Sequence, residues 1–358
     1  MSVVAAIGVL ALLVLVHELG HFLVARLLGI RVSQFSLGFG PALWSYQGKE
    51  VQYAVRAIPL GGYVGFPDDD PNSPISSQDP NLLRNRPIQD RAWVMSAGVL
   101  ANLVFAYVIL TTQVLTAGLP QLVYQPGVRV PQIAVEMSPV AQRAGLKAGD
   151  VIVAVDGTPL PTGKAAVDHV VQTIQSRPNQ PVRLELQRQE TRLTVTVVPE
   201  LAPSGRGRIG VQLQENVQVQ IRHARHLWDG IGLGAQEFYR LLSSTLRGYW
   251  ELLQHFQQTA DQVAGPVAIV AMGAGLAQSG WENLLQFSAL ISINLAVINI
   301  LPLPALDGGQ LLLLGIEALR GRPLPPKLQE SVVQTGLLLL LGLGVFLIIR
   351  DTVRLVGS

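Results

Sequence analysis

The sequence predicts a polytopic α-helical membrane protein with about four transmembrane helices and one inserted soluble domain of mixed α and β structure. Three observations carry that expectation. The 358-residue chain is 49% hydrophobic and 14% charged, with a mean hydropathy of +0.37, whereas soluble domains carry about 25% charged residues. Four apolar stretches hold no Lys or Arg, at residues 3–25, 92–119, 283–306 and 331–349, each about 30 Å or more as a helix and so able to cross a bilayer. Between the second and third, residues 121–200 have an ordinary soluble composition.

The first stretch is expected to remain as a span. A cleaved signal peptide wants a positive leading region, and nothing from Met1 to Val16 is charged. Basic residues then set the orientation. Arg26, Arg31, Lys49, Arg56, Arg84, Arg86 and Arg91 lie between spans one and two, and Arg320, Arg322 and Lys327 between spans three and four. Both loops are expected in the cytoplasm, with the soluble island and the C-terminus outside, against the weaker pull of Arg350 and Arg354.

Charge and cysteine content narrow the chemistry. Lys and Arg number 26 against 24 Asp and Glu, so the basic pI reflects a small excess in a charge-poor chain and gives no nucleic-acid surface. Cysteine is absent, which removes disulfides, thiolate ligands and a cysteine nucleophile. Any metal must be held by His, Asp or Glu.

The first loop carries structure of its own. Trp44 and Tyr46 on one arm and Val51, Tyr53 and Val55 on the other read as a β-hairpin turning at Gly48-Lys49, and Pro59 with Gly61-Gly62 punctuates the return. Residues 67–80, rich in Asp, Ser, Asn and Pro, read as a solvated loop. In the island, residues 133–135, 151–155, 182–186 and 193–198 read as strands, 139–144 and 167–175 as helices, and Gly149-Asp150 and Asp156-Gly157 as turns. Residues 227–280 read as helical and amphipathic, then Gly-rich, lying on or dipping into the membrane.

The chemistry concentrates at His17-Glu18-Leu19-Gly20-His21. The four-residue spacing puts both imidazoles on one helix face, one turn apart, where a single metal can bridge them. Two His and a Glu inside an apolar segment are expensive unless bound to something. A catalytic zinc wants a third protein ligand. His169, His223, His226 and His255 all stand in polar surroundings, and His223 and His226 with Arg222 and Arg225 read as a solvated basic face. Asp307 is the better candidate, closing the third apolar stretch after Pro302 and Pro304, which unwind the helix, and before Gly308-Gly309, which relax it. Two His and one carboxylate also suit non-haem iron oxygenases, and a non-catalytic scaffold could keep a structural metal. Glu18 discriminates, because only a protease needs a base there.

HELGH in the first span, Asn299-Ile300-Leu301-Pro302-Leu303-Pro304-Ala305-Leu306-Asp307-Gly308-Gly309 late in the chain and a soluble insert between them resemble the site-2 proteases, zinc metalloproteases that cut within membranes. Ile58-Pro59-Leu60-Gly61-Gly62-Tyr63-Val64 is similar to that family's membrane-re-entrant hairpin loop, and Ser96-Ala97-Gly98-Val99-Leu100-Ala101-Asn102 to its second-span motif, with Val99 where the family pattern has proline. Gly265-Pro266-Val267 resembles a Gly-Pro element ahead of the Asp-bearing span. The island resembles a single PDZ domain, through Ser138-Pro139-Val140, the run from Ala144 to Asp150 and Val155-Asp156-Gly157. One PDZ copy is the pattern of the single-PDZ bacterial and cyanobacterial members.

The resemblance implies a chain divided into 1–120 (two spans with HExxH and the hairpin loop), 121–205 (the PDZ-like domain), 206–282 (an amphipathic, membrane-associated linker) and 283–358 (two spans with the LDGG motif). It implies one Zn²⁺ held by His17, His21 and Asp307, Glu18 as the catalytic base, and Asn102 and Asn299 as donors to the substrate carbonyl or oxyanion, with an interhelical hydrogen bond the plain alternative for each. Implied substrates are single-span membrane proteins, such as anti-sigma factors or signal-peptide remnants, first trimmed by a site-1-type protease. The implied location is the plasma membrane, or a thylakoid membrane, with the PDZ-like domain on the non-cytoplasmic side. With no Gly-Leu-Gly-Phe loop ahead of Ile133, that domain is expected to act as a size filter more than as a carboxylate-binding groove.

Overall fold

An apolar run unbroken by proline makes helix α1 (Ser2–Leu27), which ends at Gly29 with φ +72°. The computed structural model describes residues 2–70, 74–134, 138–259 and 263–356. They form two units: Leu119–Arg222, and Met1–Gly118 together with His223–Ser358.

After α1 come β1 (Gln34–Gln47) and β2 (Gln52–Gly65). The expected hairpin is present, Trp44 pairing with Val55 and Tyr46 with Tyr53, and the Gly48 N–H donates to the Val51 carbonyl across the turn (2.9 Å). Both strands also bend. Phe35 and Ser36 pair with Tyr53 and Ala54 on one side and with Val64 and Tyr63 on the other. Four short runs therefore stand in the order 62–65, 34–37, 52–55, 44–47. Gly38 and Gly40, at φ +87° and +81°, make the bend in β1. Arg56 clasps the bend through Gly40 O (2.7 Å), Ser36 Oγ (2.8 Å) and Tyr63 Oη (3.0 Å). Helix α2 (Ile88–Thr116) then packs along α1.

The second unit runs through β3 (Leu119–Arg129), α3 (Val140–Arg143), β4 (Val151–Val155), β5 (Thr158–Pro159), α4 (Lys164–Ser176), β6 (Val182–Arg188), β7 (Thr191–Val197), β8 (Glu200–Leu201), β9 (Gly207–Arg208) and β10 (Gln214–Arg222). Its main sheet has the order β10-β3-β4-β6-β7, with β5 on β4. Val182, Leu184 and Leu186 point inward from β6 while Arg183 and Gln187 point out, closing a core with Val128, Ile152, Val170, Ile174 and Val197. Asp156 and Gly157, at φ +49° and +78°, make the expected turn. Residue 133 makes a single bridge to Val211 where a strand was expected; Val135, the end of that expected strand, lies outside the described residues.

The expected boundary at 205 needs correcting. Residues 207–222 belong to this unit as β9 and β10, not to a linker. Val217, Val219 and Ile221 alternate with Gln218, Gln220 and Arg222 along β10, a strand pattern that pairs with β3.

Asp150 anchors the unit. It is 1% exposed and takes Arg188 bidentately, Nε to Oδ1 at 2.7 Å and NH2 to Oδ2 at 2.8 Å, with the Lys147 N–H on Oδ2 at 2.8 Å. Burial alone would raise its pKa, but those hydrogen bonds outweigh burial and hold it below the usual carboxylate value. A depressed folded-state pKa contributes stability that is present above the unfolded pKa, about 3.9, and lost as pH falls through the folded value. Asp150→Asn should cost about 2–3 kcal/mol at pH 7, below the figure for a fully buried pair because Arg188 is partly exposed, and should flatten the acid limb of denaturation followed on the unit's β-sheet signal.

The chain returns as α5 (Leu227–Gln254), α6 (Phe256–Thr259), α7 (Pro266–Ser279), α8 (Trp281–Ile300), α9 (Asp307–Arg320) and α10 (Pro326–Val356). His226 caps α5, its Nδ1 accepting from the Asp229 N–H (3.1 Å). Helix α5 lies lengthwise along α2, where Gly230 and Gly234 leave room for Leu115 and Thr111, and Tyr249 Oη donates to Asn294 Oδ1 of α8 (3.2 Å). Asp351 of α10 accepts from the Ala268 N–H in the first turn of α7 (3.0 Å), which explains Gly265, whose added Cβ would strike that carboxylate. Among the described residues, four helices are long and apolar enough to cross a membrane: Ser2–Leu27, Ile88–Thr116, Trp281–Ile300 and Lys327–Arg354.

The third is shorter than the expected stretch 283–306. It ends at Ile300, the chain unwinds over 301–306 as Pro302 and Pro304 dictate, and Ala305 sits at φ +69°. Asp307 opens a separate helix. Gly308 and Gly309 do not relax that helix as expected: they are its first turn, and an added Cβ on either would collide with the carbonyls of Ile300, Leu301 or Leu303.

Candidate metal centre

His17 and His21 stand one turn apart on α1 with ring centroids at 4.8 Å, and the unwound 301–306 segment delivers Asp307 opposite them. His17 Nε2 lies 3.2 Å from His21 Nε2, and these atoms lie 3.2 and 3.4 Å from Asp307 Oδ2. The ligand-to-ligand edge of a tetrahedron with bonds of 2.0–2.1 Å is about 3.3–3.4 Å. The triangle therefore has the size that three zinc ligands need.

Hydrogen bonding says what fills it. A carbonyl only accepts, so the 2.7 Å contact to Val94 O makes His21 Nδ1 a donor, and in the neutral imidazole Nε2 is then the acceptor facing Asp307. Asp307 Oδ2 is buried without a hydrogen-bond partner of its own. The Nε2 of neutral His21 and the Asp307 carboxylate, both acceptors 3.4 Å apart, repel unless a cation lies between them. Gly98 of α2 keeps the space open, because a Cβ there would run into His21 Nε2 and the His17 ring. The donor set, two imidazoles and a carboxylate with room beside them, fits zinc.

The other expected residues gather here too. Glu18 is 9% exposed and lies under β2, where a Cβ on Gly62 would come within 2.9 Å of Glu18 Cγ. The Asn299 amide nitrogen lies 3.2 Å from His17 Nε2 and that of Asn102 lies 3.2 Å from His17 Nδ1. His169, His223, His226 and His255 are exposed and, among the described residues, join no metal-binding group. Arg91 and Glu317 form an ion pair at 2.8 Å that ties α2 to the Asp307 helix. Sequence reasoning missed Val94 and this pair, and read Gly62 as turn punctuation without its contact to Glu18. A carbonyl leaves no trace in a sequence, and the partners of Gly62 and Glu317 are fixed only by the fold.

In the second unit, α4 and β10 bound a groove of about 510 Å³ lined by Lys164, Val167, Asp168, Leu213, Glu215 and Val217. β10 ends the sheet order on that side. The strand facing α4 in this groove, β10, follows the body of the unit in sequence.

Residues 5–343 match Peptidase family M50. The "Putative zinc metalloprotease" of Nostoc is 55% identical over 355 residues, 99% of this chain and 97% of that protein. The "Membrane metalloprotease ARASP, chloroplastic" of Arabidopsis thaliana is 47% identical over 356 residues, 99% of this chain and 79% of that protein. Among solved structures, the PDZ domain of an SdrC-like protein from Listeria monocytogenes is 20% identical over 25% of this chain and 90% of its own, with a TM-score of 0.22. A peptidase family matched from the first span to the last leaves no place for the oxygenase or scaffold readings. With HELGH and Asp307 brought into one zinc-sized triangle, the chain belongs to Peptidase family M50, the site-2 proteases, and is a zinc metalloprotease.

Proposed function

We propose that His17, His21 and Asp307 hold the zinc, that Glu18 is the catalytic base, and that the enzyme hydrolyses a peptide bond within the transmembrane segment of single-span substrates. The triangle of Nε2, Nε2 and Oδ2 at 3.2–3.4 Å carries this reading. Bound zinc supplies an acidified water and polarises the scissile carbonyl. Glu18, next to His17 and shielded by β2, takes a proton from the attacking water and returns it to the leaving amine nitrogen as the C–N bond breaks. Asn299, beside the metal-facing nitrogen of His17, donates to the carbonyl oxygen as negative charge develops there. Asp307 balances the cation and is itself held by the α9 helix and its Arg91–Glu317 tie to α2.

A substrate helix must unwind, because its carbonyls are committed to its own hydrogen bonds. The run 44–47 is the exposed edge of the bent β1–β2 sheet, and Leu43, Trp44 and Tyr46 are 72%, 56% and 59% exposed. Strand addition there holds an unwound segment extended. The α4–β10 groove supports peptide capture by the PDZ-like unit over a pure size filter, since an extended chain end can add to the open side of β10. The substrates fitting this reading are anti-sigma factors or signal-peptide remnants trimmed beforehand by a site-1-type protease.

The positive-inside pattern of the basic loops supports the β1–β2 side in the cytoplasm and residues 119–222 on the opposite side, in a plasma or thylakoid membrane. In the cysteine-free chain, a cysteine at Ser76 should be labelled by an impermeant maleimide from the cytoplasmic side only, and one at Gln175 from the opposite side only. Labelling of both from one face would remove a span and reverse the proposed side of the groove.

A further inference from the structure

We propose that Asn102 is a positioning residue for His17, holding its imidazole in the tautomer that turns the Nε2 lone pair to the metal; this rests on the reading of His17 as a zinc ligand. The sequence offers Asn102 and Asn299 the same role as donors to substrate, and the fold separates them. Val94, Gly98 and Asn102 recur every four residues on one stripe of α2. That stripe faces His21 and His17, which recur every four residues on α1 in the opposite direction. The helices approach closely because the contact residues are small: a Cβ on Gly20 would overlap the Ala97 carbonyl, and one on Gly98 both imidazoles.

Each imidazole consequently rests its outer nitrogen on α2. His21 Nδ1 donates to Val94 O at 2.7 Å, and His17 Nδ1 meets the Asn102 amide at 3.2 Å. Asn102 is 0% exposed and its own carbonyl accepts from Ser292 Oγ of α8 at 2.8 Å, so its backbone is pinned between two helices. It touches the nitrogen of His17 that faces away from Asp307, whereas Asn299 touches the one that faces Asp307. A wholly buried side chain behind the ligand does not reach a substrate carbonyl in front of it.

The two ends of the amide exchange by a half turn, and each orientation selects one tautomer of His17. With Nδ2 toward the ring, Nδ1 accepts and the proton sits on Nε2, directed at Asp307 Oδ2; Asn102 Oδ1 is then buried with no donor. With Oδ1 toward the ring, Nδ1–H donates to it and Nε2 presents its lone pair. Only the second arrangement is compatible with a metal at Nε2. Metal binding and the orientation of this amide are therefore one equilibrium, in which an acceptor at position 102 favours the loaded state.

The test measures zinc affinity of the full-length protein in detergent by chelator competition, together with the visible spectrum of the cobalt-substituted enzyme. Asn102→Leu, similar in size but without an acceptor, should bind zinc about 10–100-fold more weakly and shift the cobalt bands. Asn102→Asp keeps an acceptor oxygen and should restore affinity to within a few fold of the parent. Parental affinity in Asn102→Leu with reduced kcat would assign Asn102 to the substrate and overturn the proposal. Equal loss in Asn102→Asp and Asn102→Leu would reduce it to packing, and also overturn it. His17→Ala binding zinc as tightly as the parent would instead remove the ligand reading on which the proposal stands.

Discussion

Glu18→Gln should retain one zinc per chain and lose cleavage by about 10²–10⁴-fold, the range for removing a general base. The substitution is close to isosteric, so the packing of residue 18 against Gly62 survives and folding is not in question. The amide cannot take the water's proton at neutral pH. On the proposed assignment the metal is untouched, because the donor atoms of His17, His21 and Asp307 converge without Glu18. Zinc content by atomic absorption and cleavage of a single-span substrate, measured on the same preparation, check both halves. Loss of zinc in this variant would move Glu18 into the coordination sphere; unchanged turnover would remove it from the chemistry.

Asp307→Ala should lose both zinc and activity, and Asp307→Asn should weaken zinc by a smaller factor. The carboxylate supplies one vertex of the triangle and the only negative charge in it. Without it, two neutral imidazoles 3.2 Å apart remain to hold a divalent cation. Alanine leaves α9 intact, since Asp307 starts that helix and the close approaches in its first turn belong to Gly308 and Gly309. Full zinc occupancy in Asp307→Ala, by metal analysis of monodisperse protein, would require a different third ligand. The four exposed histidines lie outside every metal-binding group among the described residues, so that result would contradict the site as a whole.

Much of this site is legible in the sequence because burial makes its residues conspicuous. His17, Glu18, His21, Asn102, Asn299 and Asp307 are polar groups in apolar runs, and each demands a partner there. The two prolines ahead of Asp307 likewise announce the break that carries it to the histidines. The glycines deceive. Gly308 and Gly309 read as loosening a helix, yet they tighten one, because the signature of a small residue is the same whether the backbone needs freedom or a neighbour needs space. β10 was missed for another reason: Val217, Val219 and Ile221 do alternate with Gln218, Gln220 and Arg222, but the strand follows the rest of its unit and finds its partner, β3, about a hundred residues earlier. The same non-local origin hides the four-run sheet built from β1 and β2, whose hairpin is local and was visible.

The proposed reaction is hydrolysis, at this zinc site, of peptide bonds inside a membrane-spanning segment. The most direct measurement incubates the purified, zinc-loaded enzyme with a single-span protein in lipid vesicles and maps the product ends by mass spectrometry. New termini are expected within the apolar segment of the substrate, absent in Glu18→Gln and after chelation. Termini confined to residues outside that segment, made by an enzyme shown to hold its zinc, would contradict it.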